Sequence, residues 1–105
     1  MLESTYQNRL IRKLEKIFPG CVVLKTDPSY IQGFPDLLIL YRDKWAALEV
    51  KARRSAAVQP NQAYYIDLLW DMSFSAFIYP ENEEEVLDGL RQSFEPRRTA
   101  RLSQR

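Results

Sequence analysis

Two short apolar runs lie close together in the middle of this chain, Leu37-Leu38-Ile39-Leu40 and Trp45-Ala46-Ala47-Leu48. Charge bounds both: Asp36 opens the first, and Glu49-Val50-Lys51 closes the second. Apolar runs this short, flanking a turn, fit buried strands better than helices. A carboxylate or ammonium taken into such a segment costs several kcal/mol unless another group compensates it. The fold therefore has to bring these three charges together, and that requirement restricts how the two strands pair.

Arg42-Asp43 lies between the runs and reads as a turn, with strands over Asp36–Tyr41 and Lys44–Lys51. A two-residue turn there pairs Tyr41 with Lys44 and sets Asp36 opposite Glu49. Side chains alternate faces along a strand, so Glu49 and Lys51 share one face and Val50 points the other way into a core. Directly opposed residues have Cβ atoms ~5 Å apart. Arg-Asp is not a favoured pair for a two-residue hairpin turn, and a bulge would shift the register by one residue.

Two carboxylates held that close repel each other unless a cation sits between them. Their hard oxygens suit Mg²⁺ or Mn²⁺, which keep several waters. The expected ligands are Asp36, Glu49 and the backbone carbonyl of Val50, with Lys51 placed to orient a water or to stabilise charge developing on a phosphate. That points to phosphodiester cleavage. The inert alternative is a buried Asp/Glu–Lys network with no catalysis.

The remaining pattern predicts three helices and two further strands. Leu2, Tyr6, Leu10, Leu14 and Ile17 recur at helical spacing, and Pro19-Gly20 ends that helix. Val22-Val23-Leu24 reads as a strand, and 27–33 as a loop. Pro60 opens a helix over about 61–71, and 75–79 is a strand stopped by Pro80. Asn82 is expected to cap a last helix that reaches about Ser93, with Glu83, Glu84 and Glu85 in its first turn. The order α-β-β-β-α-β-α predicts an α/β (α+β) fold with a mixed central sheet flanked by helices.

With 105 residues, the chain fits one domain. No apolar run reaches the ~20 residues that span a bilayer. The start, Met1-Leu2-Glu3-Ser4, lacks the features of a signal peptide, so a cytoplasmic setting without a membrane is expected. There is no histidine and one cysteine, Cys21. That excludes an internal disulfide and Ser-His or Cys-His catalysis, and it argues against structural zinc. Net charge is +1, unevenly spread: residues 1–94 hold 11 basic and 13 acidic side chains, whereas 95–105 hold four arginines (Arg97, Arg98, Arg101, Arg105) and Glu95. The expected organisation is one domain over 1–94 and a basic, mobile tail over 95–105 that adds phosphate contacts or merely solubilises the end.

Pro35-Asp36 and Glu49-Val50-Lys51 on a hairpin after a first helix resemble the PD-(D/E)XK nuclease superfamily. The predicted elements resemble its restriction-endonuclease-like αβββαβ core. Within it, the chain is most similar to the small VRR-NUC proteins of phages and bacteria. Glu3 and Gln7 resemble that family's leading acid and glutamine, Gly33-Phe34-Pro35-Asp36 its Gly-x-Pro-Asp motif, and Gln62 its later glutamine.

The resemblance spans residue 3 to about residue 79. It implies metal-dependent DNA cleavage centred on Asp36, Glu49 and Lys51, with Glu3 reaching toward the metal or water and Gln62 toward the water or a phosphate. It also implies kinship to Holliday junction resolvases, hence a homodimer acting on branched DNA. The alternatives are a general duplex or single-strand endonuclease and a non-catalytic nucleic-acid-binding module. Lys25, Gly33, Arg53, Arg54, Arg97 and Arg98 are the expected DNA contacts. Tyr64, Tyr65 and Trp70 are read as packing aromatics rather than base-stacking ones.

Overall fold

The computed structural model describes residues 1–95. Its elements run α1 (Glu3–Ile17), β1 (Val22–Lys25), β2 (Leu37–Tyr41), β3 (Lys44–Val50), α2 (Pro60–Met72), β4 (Phe74–Ile78), a 3₁₀ turn at Pro80–Asn82, and α3 (Glu83–Phe94). The sheet is mixed, in the order β1-β2-β3-β4. β1, β2 and β3 form an antiparallel meander, and β4 returns parallel to β3 after the α2 crossover. This is the α/β architecture that the periodicities predict. The expected tail, with Arg97 and Arg98, lies outside the described residues from residue 96 onward.

One sheet face carries Leu37, Ile39, Tyr41, Ala46, Leu48, Val50, Phe74 and Ile78. Tyr6, Leu10 and Leu14 of α1, Phe18 just beyond it, and Val86, Leu87, Leu90 and Phe94 of α3 pack against this face to form the core. Phe18, Tyr41 and Phe94 form an aromatic cluster with ring centroids 5.1–5.5 Å apart. Leu2 was expected on the apolar stripe of α1, but it precedes the first helical turn and is exposed. Phe18 takes the place at the other end, where its N–H still bonds the Leu14 carbonyl at 2.9 Å. Among the described residues no helix is long and apolar enough to cross a membrane.

The opposite face is covered by α2 over β3 and β4. There the Ser75 hydroxyl donates to the Ile66 carbonyl and the Ser73 hydroxyl to the Trp45 carbonyl, tying helix and sheet together. Val22, Leu24 and Leu40 lie on this same side and remain exposed.

The hairpin closes through the two-residue turn Arg42-Asp43, pairing Tyr41 with Lys44. Arg42 sits at φ 57°, a left-handed conformation that favours Gly or Asn. Its guanidinium lies 4.7 Å from the Tyr41 ring centroid and 3.9 Å from the Glu95 carboxylate, contacts that offset the strain. Asn82 precedes α3 as expected but does not cap it with its side chain. Its Oδ1 accepts from Tyr79 N–H at 2.9 Å and its Nδ2 donates to the Phe77 carbonyl at 3.1 Å, because the 3₁₀ turn directs the amide back to the end of β4.

Candidate active site

The β2–β3 register runs from Tyr41↔Lys44 to Leu37↔Leu48. One step further sets Asp36 opposite Glu49, as the turn length predicts. β2 itself begins at Leu37, and Asp36 is held by other contacts. Its carbonyl accepts from Thr26 N–H at 2.9 Å, and the Thr26 hydroxyl donates to the carbonyl of buried Pro35 at 2.6 Å. The Asp36 carboxylate then accepts the Val50 N–H at 2.9 Å.

The proline makes this geometry possible. Lys51 N–H donates to the Ile78 carbonyl at 2.9 Å, so β3 at that residue bonds toward β4. Alternation turns the N–H and C=O of Val50 toward β2, where the opposing residue is Pro35. Proline has no N–H to give, so the Val50 carbonyl loses its ladder partner beside the two carboxylates. This is the carbonyl that the sequence predicts as a ligand, and the opposing proline is what leaves it without a ladder partner.

Glu49 is 3% exposed and Lys51 8%. The Lys51 ammonium donates to the Ala57 carbonyl and to Gln62 Oε1, both at 2.9 Å, and lies 3.7 Å from Glu49 Oε2. Gln62 Nε2 donates to Glu49 Oε2 at 3.0 Å, and Gln62 Oε1 also accepts the Gln59 N–H at 2.9 Å. Gln62 thus joins the α2 start, Lys51 and Glu49 in one network. Its amide spans two members of the site, Glu49 and Lys51, beside the water or phosphate position expected for it. The bridge depends on where α2 crosses the sheet, which no local pattern records.

Burial, then the adjacent Asp36 carboxylate, push the Glu49 carboxyl up to about 8, only partly offset by Lys51; Glu3 adds to the rise. Two facing acids disfavour full ionisation, a conflict that a bound cation resolves. Among the described residues no three acid, thiol or imidazole side chains form a metal cage. The oxygen set is two carboxylates and one backbone carbonyl, which fits a Mg²⁺ or Mn²⁺ ion that keeps several waters. Glu3, at the exposed start of α1, contributes its charge to Glu49 but does not complete a three-acid cluster.

The expected DNA contacts are more scattered. Lys25 is exposed and donates to Asn8 Oδ1 at 3.1 Å. Arg53 and Arg54 are exposed in the connection after Lys51, where Arg54 N–H points at the Glu81 carboxylate (3.2 and 3.3 Å). Gly33 has φ +89°, and a Cβ there would stand 2.5 Å from Asn61 Cγ, so its backbone makes room for the Asn61 side chain. Tyr65 packs on Phe34, with ring centroids 5.6 Å apart.

Comparison with protein-family models, with curated proteins and with solved structures finds no match to this chain.

Proposed function

We propose that this chain is a metal-dependent DNA endonuclease that hydrolyses phosphodiester bonds at Asp36, Glu49 and Lys51. The observation that carries the reading is the opposition of Asp36 and Glu49 across one hairpin, with the buried Lys51 ammonium 3.7 Å from Glu49. A purely structural ion pair has no need of the second carboxylate, which pushes against the first.

Asp36, Glu49 and the Val50 carbonyl would hold Mg²⁺ or Mn²⁺. When bound, that ion supplies positive charge that polarises a phosphate oxygen and lowers the pKa of a water. The side chains supply the rest. Val50 N–H fixes one Asp36 oxygen and so aims the other. Gln62 orients Glu49 from one side and Lys51 from the other. Lys51 has three N–H donors, two of them committed to Ala57 and Gln62; the third would serve an incoming phosphate that gathers charge beside Glu49 during cleavage. As a homodimer, the chain would present two sites related by a two-fold axis, matching the two strands cut in a branched substrate.

The test uses supercoiled plasmid and a four-way junction, each with Mg²⁺, Mn²⁺ or EDTA. Cleavage is expected with either ion, none in EDTA, and none by Asp36→Ala. An Asp36→Ala protein that cuts like the wild type would refute the assigned centre. Binding of both substrates with no cleavage under any condition would replace the reading with a non-catalytic nucleic-acid-binding module. Relative rates on junction and plasmid decide whether branching is preferred, and light scattering of the purified protein decides the dimer.

A further inference from the structure

A pocket of about 370 Å³ opens directly beside Lys51, on the side where α2 no longer covers the sheet, lined by Lys51, Arg54, Ala56, Val58, Phe77 and Tyr79. Its volume falls in the range of sites that take a small organic body (~300–1,000 Å³). Its composition follows from the strand register. Phe77 pairs with Glu49 and therefore shares its face; two residues on, Tyr79 continues β4 in extended conformation beside Lys51. The Lys51 N–H bond to the Ile78 carbonyl carries the ladder to this point. Two consecutive inward positions of β4 are thus aromatic, where the neighbouring positions of β3 are the acid and the lysine of the site.

The opposite wall is the connection after β3. It is fastened by Arg54 N–H to the Glu81 carboxylate and by Ala57, whose carbonyl accepts from Lys51. The Arg54 guanidinium lies over the Tyr79 ring, 5.7 Å from its centroid, on an exposed side chain able to move. Asn82 also borders the pocket, but both ends of its amide are spent on backbone groups. The pocket therefore offers aromatic faces and two cations, with no carboxylate among the described residues that line it. That suits a flat π-system attached to an anionic chain.

We infer that this pocket receives one unpaired nucleobase of the substrate, stacked on Tyr79 and Phe77 with Arg54 closing over it, in the nucleotide next to the phosphate held at Asp36, Glu49 and Lys51. The inference rests on the nuclease reading for its substrate and narrows that substrate. A base inside a continuous duplex cannot reach these rings without leaving its stack, a penalty of a few kcal/mol that is smallest where the base is already unpaired. Single-stranded, gapped or branched DNA is then favoured over intact duplex at the bond cut.

Binding is measured in EDTA, so that cleavage plays no part, with a single-stranded deoxyoligonucleotide carrying 2-aminopurine and with the same strand annealed to its complement. Wild type should bind the single strand and change the 2-aminopurine emission. Tyr79→Leu should weaken single-strand binding about 5- to 100-fold, the range for one lost base–aromatic stack, with little change for duplex, and Tyr79→Phe should restore what Tyr79→Leu loses. If Tyr79→Leu does not fold, Arg54→Ala on the exposed connection provides the reading. Selective loss of single-strand binding supports the pocket, and equal loss for both forms overturns it as an ordinary phosphate contact.

The inference also fails if wild type leaves the emission unchanged, or if Tyr79→Leu binds the single strand as wild type does. These results are separable from the nuclease test. Stacking without metal-dependent cleavage keeps the pocket and removes the nuclease, and cleavage indifferent to Tyr79 does the reverse.

Discussion

The two faces of the sheet perform different tasks. Against α1 and α3, every strand position in the core is apolar. On the α2 face lie Glu49, Lys51 and Ser75, the buried polar residues among those described, while β1 and β2 keep Val22, Leu24 and Leu40 exposed. Neighbours in sequence therefore have opposite surroundings: Ile39 is 0% exposed and Leu40 39%. One face supplies the free energy that tolerates the electrostatic conflict on the other. The candidate site's charges lie on the face that α2 covers over β3 and β4, paired and hydrogen-bonded, where a purely apolar core would reject them.

The sharpest way to break this contrast is to disarm the α2 face while leaving the core untouched. Asp36→Asn keeps an oxygen to accept the Val50 N–H but loses the charge. Cleavage should fall about 100- to 1,000-fold, the scale of one lost group that stabilises the transition state. The thermal unfolding midpoint should hardly move. A midpoint that collapses together with activity would show that the two faces are not separable.

The core face should show the converse. Ile39→Ala removes a fully buried side chain and should cost about 2–5 kcal/mol in urea unfolding. Leu40→Ala, one residue away, should change stability by no more than about 1 kcal/mol. Similar values for the pair would mean that something covers the β1–β2 surface in solution.

Much of this architecture is legible in sequence because its determinants are local. The helical spacing of Tyr6, Leu10 and Leu14 and the alternation through Glu49, Val50 and Lys51 each need only a few neighbouring residues. So does the count of residues around Arg42-Asp43, which places Asp36 opposite Glu49. What escaped depends on how elements meet. The Gln62 bridge, Asn61 seated over Gly33 and the Tyr79 pocket all depend on the path of α2 and of the connection before it. Arg42 keeps its left-handed backbone through Tyr41 and Glu95, the second of which is 53 positions further along the chain. Asn82 has the right residue type for a cap, but the 3₁₀ turn at Pro80–Asn82 directs its amide back to the end of β4 instead.

A subtler prediction concerns the conflict itself. Glu49→Gln removes a carboxyl whose ionisation burial and Asp36 both oppose, while its amide oxygen can still accept from Gln62. In EDTA near neutral pH the variant should be more stable than wild type, because the unfolded chain ionises Glu49 freely whereas the folded chain resists that ionisation. Adding Mg²⁺ should raise the unfolding midpoint of wild type and not that of Glu49→Gln. Lower stability of the variant in EDTA would make the Glu49–Lys51 pair a structural tie instead of a ligand set.

The smallest effect belongs to the charges that border the core. Glu83, at the start of α3, is met by the Lys13 ammonium and by the Tyr6 hydroxyl, which donates at 2.8 Å. Burial alone would raise its carboxyl, but the Lys13 and Tyr6 hydrogen bonds prevail and hold it below the usual range. A carboxyl lowered in the folded state adds stability that is present above its unfolded range, around pH 4–5, and is lost as pH falls through the lowered folded value. Lys13 is half-exposed, so solvent limits the gain to about 0.2–1 kcal/mol. Glu83→Gln should thus be slightly less stable than wild type at pH 7, with the gap shrinking through the acid range and vanishing below it. A gap that persists at pH 2 would trace to lost packing at the α1–α3 contact, making this border part of the apolar face and not a third, electrostatic region.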